Sequence, residues 1–191
     1  YEFLSWLKVR FDFAGYENLK SWNNISNKII VTVDDGLREN YEIFLPILNE
    51  LGLSAIFFLN NDFIDGKNIF DRAYLSAVMV RSANELELKK DLFKILENNA
   101  IDTNKKLIDL RDKIFKSDVF SRELRHRLRN EIGDLELDSI YMSTEQIKIL
   151  LDKRQFIGAH SINHKNLGKL PESEQSEEIL KSIQDLKARF N

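Results

Sequence analysis

Two short polar segments hold the residues whose types and spacing could do chemistry. The first is Asp34-Asp35-Gly36, which directly follows the apolar run KIIVTV. The second follows QFIGA and places His160 and His164 four residues apart in a chain with 3 histidines. Carboxylate and neutral imidazole suit Zn²⁺, Fe²⁺ or Co²⁺, and three protein ligands leave positions open for water and substrate. One aspartate with both histidines is therefore typical of a catalytic metal site.

Each segment also has a plainer interpretation. Asp and Gly favour turns, so Asp34-Asp35-Gly36 can simply end a strand. The two histidines can be unrelated, partly exposed loop residues. In the functional interpretation one aspartate coordinates a metal and its neighbour acts as a base, because a nearby cation keeps a carboxylate charged. The remaining histidine, His126, lies among arginines in RELRHRLRN, and a solvated helix face accounts for it.

The elements that must position these residues follow an α/β pattern. Apolar, β-branched runs at 28–33 and 54–59 have strand length and strand composition. Between them apolar residues recur at helical spacing, Pro46 indicates a kink or a late helix start, and Gly52 is a natural stop. Strand, helix and strand in about 30 residues form a βαβ unit with parallel strands. Because such sheets carry sites at the carboxyl ends of their strands, the two polar segments are expected to meet.

A helical block interrupts this pattern from Phe70 to about Asp138. Strand-like runs vanish there, and helices are predicted at 83–99, 104–115 and 121–133. We therefore predict a single α/β domain over 1–191 with a helical insertion at 70–138.

The α/β pattern resumes after the block. Ser143 or Thr144 can cap a helix that precedes the strand QFIGAH. The chain closes on an amphipathic helix that begins near Pro171. Its apolar residues on one face are Ile179, Leu180, Ile183 and Leu186.

Composition restricts the classes of protein and partner. The chain has 191 residues, of which 43% are hydrophobic and 31% charged, as in a globular domain with a real core. A net charge of -3 without a dense basic run argues against nucleic acid as a partner. No apolar run approaches the roughly 20 residues of a membrane span. The sequence has 0 cysteines, which excludes disulfides and thiolate metal sites. It opens with Tyr1 rather than Met, so a removed leader would not be visible.

At these residues the sequence resembles the polysaccharide deacetylase, or NodB-homology, family, which is family four of the carbohydrate esterases. The family's first motif, T-F-D-D-G, is matched by 32–36 at every position except Val33. Its second motif, H-S/T-x-x-H, is matched by 160–164. The flanking segments LPILNELGLSAIFFLNNDFI and MSTEQIKILLDKRQFIGAHSINHKNLGKL are also similar. The resemblance covers most of the chain outside the helical block.

The resemblance implies a distorted (β/α) barrel and a divalent metal, usually zinc. By carry-over, Asp35, His160 and His164 are the metal ligands and Asp34 is the general base, while Ser161 orients the loop. The implied reaction removes acetyl groups from an N-acetylated polysaccharide or oligosaccharide, which is the expected partner.

The sequence departs from the family in its later motifs. An R-x-x-P-Y segment, whose backbone helps to hold the oxyanion, has no counterpart, and neither has a late Leu-x-His that protonates the leaving amine. No histidine follows His164. We therefore expect an incomplete barrel that binds a metal but by itself hydrolyses N-acetyl sugars poorly. Two alternatives stay open: a non-catalytic deacetylase-like module that binds glycan or protein, and a related hydrolase acting on sugar amides or formyl groups.

Overall fold

The computed structural model of the chain describes residues 1–15, 18, 27–69, 71–98, 130 and 140–190. The chain divides into two compact units, one formed by 1–68 with 137–191 and the other by 69–136. The helices of the described part are α1 (Glu2–Arg10), α2 (Leu45–Leu51), α3 (Asp71–Asn84), α4 (Leu86–Asn98), α5 (Thr144–Asp152) and α6 (Glu172–Phe190). Its strands are β1 (Asp12–Phe13), β2 (Lys28–Ile29), β3 (Val31–Val33), β4 (Ala55–Leu59) and β5 (Phe156–Ala159).

The first unit is built on a parallel sheet of order β3-β4-β5. Its register places Val33 opposite Phe57, which in turn lies opposite Ile157. Strands β1 and β2 form a separate parallel pair. The α/β class is thus confirmed. The sheets of the described residues are small and open, so the distorted barrel stays a prediction.

The segment KIIVTV, predicted as one strand, is divided between the two sheets. Its first part is β2 and pairs with β1, whereas its second part is β3 and pairs with β4. Ile30 lies between them outside either strand. Composition could not show the break because both parts are equally apolar and β-branched.

Helix α2 connects β3 to β4, and α5 leads into β5. Both helices begin where the sequence indicates. A π-helical turn at Asn40–Phe44 precedes α2, which has Pro46 in its first turn and ends before Gly52. Ser143 caps α5: its hydroxyl accepts from the Gln146 backbone N–H at 3.2 Å, and the Gln146 side-chain amide oxygen Oε1 accepts from the Ser143 N–H at 2.9 Å. This reciprocal capping box fixes the start of the helix that leads into β5.

The core of the first unit lies between the sheet and these helices. Its fully buried side chains include Leu48 of α2, Phe57 and Leu59 of β4, and Ile147 and Leu150 of α5. Apolar burial of this kind is the main force that holds the three strands and their helices together. The strand ends are therefore fixed points from which the polar segments extend.

Helix α6 differs from its predicted burial pattern. Of its predicted apolar face, Leu186 is buried, whereas Ile179, Leu180 and Ile183 are exposed. The other buried positions of α6 are the polar Glu178 and Ser182. The Ser182 hydroxyl donates to the side-chain amide oxygen Oδ1 of Asn61 at 2.6 Å, which satisfies a group that would otherwise be costly to bury.

The second unit is helical where it is described. Helix α4 confirms the helix predicted at 83–99, and α3 precedes it. Its buried side chains include Tyr74 and Val78 of α3 and Leu92 and Leu96 of α4. The helices predicted at 104–115 and 121–133, and with them His126, lie outside the described residues except for position 130. Among the described helices, none has the length and apolar character to cross a membrane.

Candidate metal centre

The two polar segments meet at one edge of the parallel sheet. Strands β3, β4 and β5 run in the same direction, so their carboxyl ends lie side by side. Asp34 and Asp35 follow the end of β3, Asn60 follows β4, and His160 follows β5. The predicted meeting of the DDG and HSINH segments is therefore confirmed.

Asp35, His160 and His164 form a compact cluster at this edge. Asp35 Oδ1 lies 3.4 Å from His160 Nε2 and 3.2 Å from His164 Nε2. One nitrogen or oxygen atom from each residue lies within 4.8 Å of the other two. The side chains are 31–37% exposed, so the cluster is accessible to water and to a small chemical group.

The bonding of Asp35 tests whether these residues fit a metal. Its Oδ1 atom is buried and has no hydrogen-bond partner, although it faces two imidazole nitrogens. A buried acceptor without a donor is costly, and a cation shared by the oxygen and both nitrogens would remove that cost. Two imidazoles with one carboxylate are also a donor set that suits zinc. The residues therefore fit a divalent metal.

The backbone conformation and a backbone hydrogen bond fix the segment Asp34-Asp35-Gly36. Asp35 and Gly36 have left-handed φ angles of 68° and 66°. Gly36 accepts from the Met142 N–H at 2.9 Å through its carbonyl. A Cβ atom at this glycine would lie 3.1 Å from a Leu59 methyl carbon. The close approach to β4 and the left-handed turn together explain the need for glycine directly after the clustered aspartate.

The second segment combines a strand extension with a closed turn. The His160 N–H donates to the Leu59 carbonyl at 2.9 Å and so continues the β4–β5 ladder. Ser161 and His164 then adopt left-handed φ angles of 67° and 60°. The His164 N–H donates to the Ser161 hydroxyl at 3.1 Å, which closes the turn and brings the second imidazole back toward the first.

Asn60 supports this turn and was missed by the sequence analysis. It is 1% exposed, and its side-chain amide donates to the carbonyls of His160 and Ser161. A signal was available, because the polar run Asn60-Asn61-Asp62 directly follows the strand-like segment SAIFFL. Polar residues that follow a third parallel strand therefore indicate a further part of the site.

Asp34 lies next to the cluster in sequence but is not one of its three members. The residue is exposed, and its backbone carbonyl accepts from the Asn40 side-chain amide at 3.2 Å. Beside both histidines the structure has an open cavity of about 300 Å³, with Leu167, Ile179 and Ile183 as its apolar lining. The cluster therefore borders a partly apolar concave surface, and an exposed carboxylate precedes its aspartate in the chain.

Parallel strands with an Asp-His-His cluster at their carboxyl ends define the class as an α/β protein with a candidate metal centre. The sequence model of the family described as polysaccharide deacetylase matches residues 23–191. The chain belongs to the polysaccharide deacetylase family, as the resemblance of its two motifs predicted. A comparison with curated proteins found no match.

The fold is similar to that of a solved structure, the Streptococcus pyogenes deacetylase PplD in complex with acetate. The TM-score is 0.52 at 14% sequence identity. The match covers 96% of this chain and 53% of the other, so this chain spans about half the length of that structure.

Proposed function

We propose that this chain is a metal-dependent hydrolase domain that removes N-acetyl groups from a polysaccharide or oligosaccharide. The observation that carries the proposal is the convergence of Asp35, His160 and His164 around a buried carboxylate oxygen without a hydrogen bond. Membership of the polysaccharide deacetylase family supports the reaction class. The acetate bound by the structurally similar streptococcal deacetylase supports acetyl removal.

In this proposal Asp35, His160 and His164 hold the metal. A divalent ion bound there supplies Lewis-acid polarisation of the amide carbonyl and favours attack by water. Zinc is the proposed ion, because two imidazoles with one carboxylate are a donor set of catalytic zinc sites. The partial exposure of all three side chains allows water and an acetamido group to approach.

Asp34 is the proposed general base. It is exposed directly beside Asp35, and the hydrogen bond from Asn40 to its carbonyl restrains the backbone at that point. An ionised carboxylate there can take the proton from the attacking water, a contribution of about 10²–10⁴ in rate. The cavity that borders both histidines offers a surface for the sugar ring.

We expect the chain by itself to be a slow enzyme. Its sequence has no counterpart of the two later family motifs, and no histidine follows His164. Loss of an oxyanion donor costs about 10²–10³ in rate, and loss of a general acid costs about 10²–10⁴. Residues 70–138 are part of the proposal as an insertion within the deacetylase-like domain.

The test measures metal content and product together. The purified chain is incubated with zinc, dialysed and analysed for bound metal, and acetate release from an N-acetylglucosamine oligomer is then followed. We expect about one zinc per chain, slow zinc-dependent acetate release, and loss of both in His160→Ala. Asp34→Asn should keep the zinc and lose the acetate release.

Three results would contradict parts of the proposal. Absence of bound zinc, with His160→Ala unchanged from the parent chain, would exclude the metal site. Formate release from an N-formyl sugar without acetate release would favour a sugar deformylase. Rapid turnover would show that the later motifs are not required.

A further inference from the structure

Helix α6 places a buried carboxylate against the turn that contains both histidines. Glu178 is 4% exposed. Its Oε2 atom accepts from the N–H groups of Ile162 at 3.0 Å and Asn163 at 3.4 Å. Its Oε1 atom lies 3.1 Å from the Lys165 ammonium. Each oxygen therefore has a separate function: one binds the turn's backbone and the other is neutralised by a lysine.

The two bonded amides belong to residues between the clustered histidines. The left-handed conformation of Ser161 lets consecutive N–H groups point to one side, an arrangement that binds anions. Here the anion is a side chain of the same protein. Hydrogen bonds to a charged acceptor are about twice as strong as neutral ones, so Glu178 restrains the turn more firmly than a neutral acceptor would.

Other hydrogen bonds hold the backbone carbonyl groups of the same turn. The Asp62 N–H donates to the Ile162 carbonyl at 3.0 Å, and the Asn60 amide donates to the carbonyls of His160 and Ser161. The residues after β4 thus hold the carbonyl groups, and α6 holds the N–H groups of the two middle residues. The N–H groups of His160 and His164 bond the Leu59 carbonyl and the Ser161 hydroxyl instead, so without Glu178 no described contact would hold the two middle N–H groups.

Packing in α6 is consistent with a role beyond stability. A buried carboxylate is costly even when it is paired, and Leu180 and Ile179 of the same helix are exposed. The helix therefore turns a charged residue inward beside the site while larger apolar side chains face outward. An apolar residue at this position would avoid the desolvation cost but could not accept from the two amides.

We propose that Glu178 is a positioning residue: by bonding the two amides between His160 and His164, it sets the affinity of the site for a divalent metal that it does not touch. The proposal rests on the proposed function, since it assumes that the histidines bind a metal. Groups that hydrogen-bond directly to metal ligands typically change metal affinity 10–100-fold when they are replaced, and we expect an effect of this order from a residue that fixes the backbone between two ligands.

Lys165 keeps the carboxylate available for this role. Its ammonium lies 3.1 Å from Oε1, which leaves Oε2 for the amides.

The experiment compares Glu178→Gln and Glu178→Ala with the matched control Glu177→Gln. Glu177 is the preceding residue, is exposed, and pairs with Lys181 on the same helix. Co²⁺ is titrated into each full 191-residue chain and followed by visible absorption, which reports ligand geometry. Zn²⁺ affinity is measured by calorimetry, and folding is checked by circular dichroism and thermal unfolding.

We expect Glu178→Ala to weaken Co²⁺ and Zn²⁺ binding about 10–100-fold and to change the visible bands. Glu178→Gln should weaken binding about tenfold, because its neutral oxygen accepts more weakly than a carboxylate. Glu177→Gln should match the parent chain in affinity and spectrum. If Glu178→Ala does not fold, the isosteric Glu178→Gln decides the question.

Two further outcomes separate this inference from the proposed function. If the parent chain binds metal and Glu178→Gln has the same affinity and spectrum, then Glu178 is a structural residue and the inference is wrong. If the parent chain binds neither Co²⁺ nor Zn²⁺, both the proposed function and the inference fail.

Discussion

Replacement of Asp35 by asparagine should have opposite effects on the protein with and without metal. The Oδ1 atom is a buried acceptor that faces two imidazole nitrogens at 3.2 and 3.4 Å and has no hydrogen bond. An unsatisfied buried acceptor costs about 1–3 kcal/mol. The asparagine amide has nearly the same shape and can donate to a neutral imidazole. In the absence of metal, Asp35→Asn should therefore be at least as stable as the parent chain.

The expected shifts follow from the size of the chain. For a protein of 191 residues, each 1 kcal/mol moves the Tm by about 2–4 °C. Removal of a cost of about 1–3 kcal/mol by Asp35→Asn should then raise the Tm of the metal-free chain by about 2–12 °C. Zinc at 100 times its Kd stabilises the parent chain by about 2.7 kcal/mol. Four ligands share about 10–16 kcal/mol in structural zinc sites, so one lost ligand costs about 2.5–4 kcal/mol. At the same zinc concentration the variant should then gain less than about 1 kcal/mol.

The assay is thermal unfolding in chelator and in excess zinc, at pH 8, where free imidazole is neutral. Asp34→Asn is the matched control, because it makes the same chemical change one residue away at an exposed position. It should keep the zinc-dependent increase in Tm. The reasoning is refuted if Asp35→Asn lowers the Tm of the metal-free chain by several degrees while it retains the full zinc-dependent increase.

Two further predictions concern residues around the site. A Cβ at Gly158 would lie 2.6 Å from two ring carbons of Phe58. Gly158→Ala should therefore destabilise the protein by about 1–3 kcal/mol in urea unfolding. The control Gly168→Ala should change the stability little, because the nearest atom to its new Cβ would lie at 3.5 Å. The pKa of Asp65 is lowered from 3.8: burial acts to raise it, but hydrogen bonds from Thr144 and the charge of Arg189 outweigh that effect. A carboxylate whose pKa is lower in the folded than in the unfolded chain stabilises the fold at every pH above its unfolded pKa. This contribution is lost as the pH falls through the folded pKa. Asp65→Asn should therefore destabilise the protein in urea unfolding at pH 7, and this cost should shrink as the pH falls below 3.8; a cost that does not change with pH would contradict this.

The local elements could be predicted because their signals are local. Ser143, Pro46 and Gly52 act through their own backbone and near neighbours, so the ends of α2 and α5 follow from short stretches of sequence. The meeting of Asp35 with His160 and His164 was also predictable, since parallel strands align their carboxyl ends.

The supporting role of Glu178 depends on long-range packing and could not be predicted in the same way. Glu178 lies in the acidic run ESEQSEE, where nothing distinguishes it from Glu177. Glu178 is buried against the turn, whereas Glu177 is exposed. Helical periodicity indicated an inward apolar face, but the carboxylate of Glu178 is turned inward and accepts from two backbone N–H groups of the histidine turn. Tertiary hydrogen bonding therefore overrides the apolar pattern in α6.

The backbone around the cluster connects these observations to folding. Asp35, Ser161 and His164 have left-handed φ angles, a conformation that costs of order 1–3 kcal/mol per residue when it is strained. Hydrogen bonds in which Asn60 donates and Glu178 and Ser161 accept offset part of this cost, but Asp35 Oδ1 still has no hydrogen bond. A cation at the cluster would supply the missing partner. Because binding to the folded chain stabilises it, we expect the turns to become more protected from hydrogen exchange in zinc, with the Ile162 and Asn163 amides changing most.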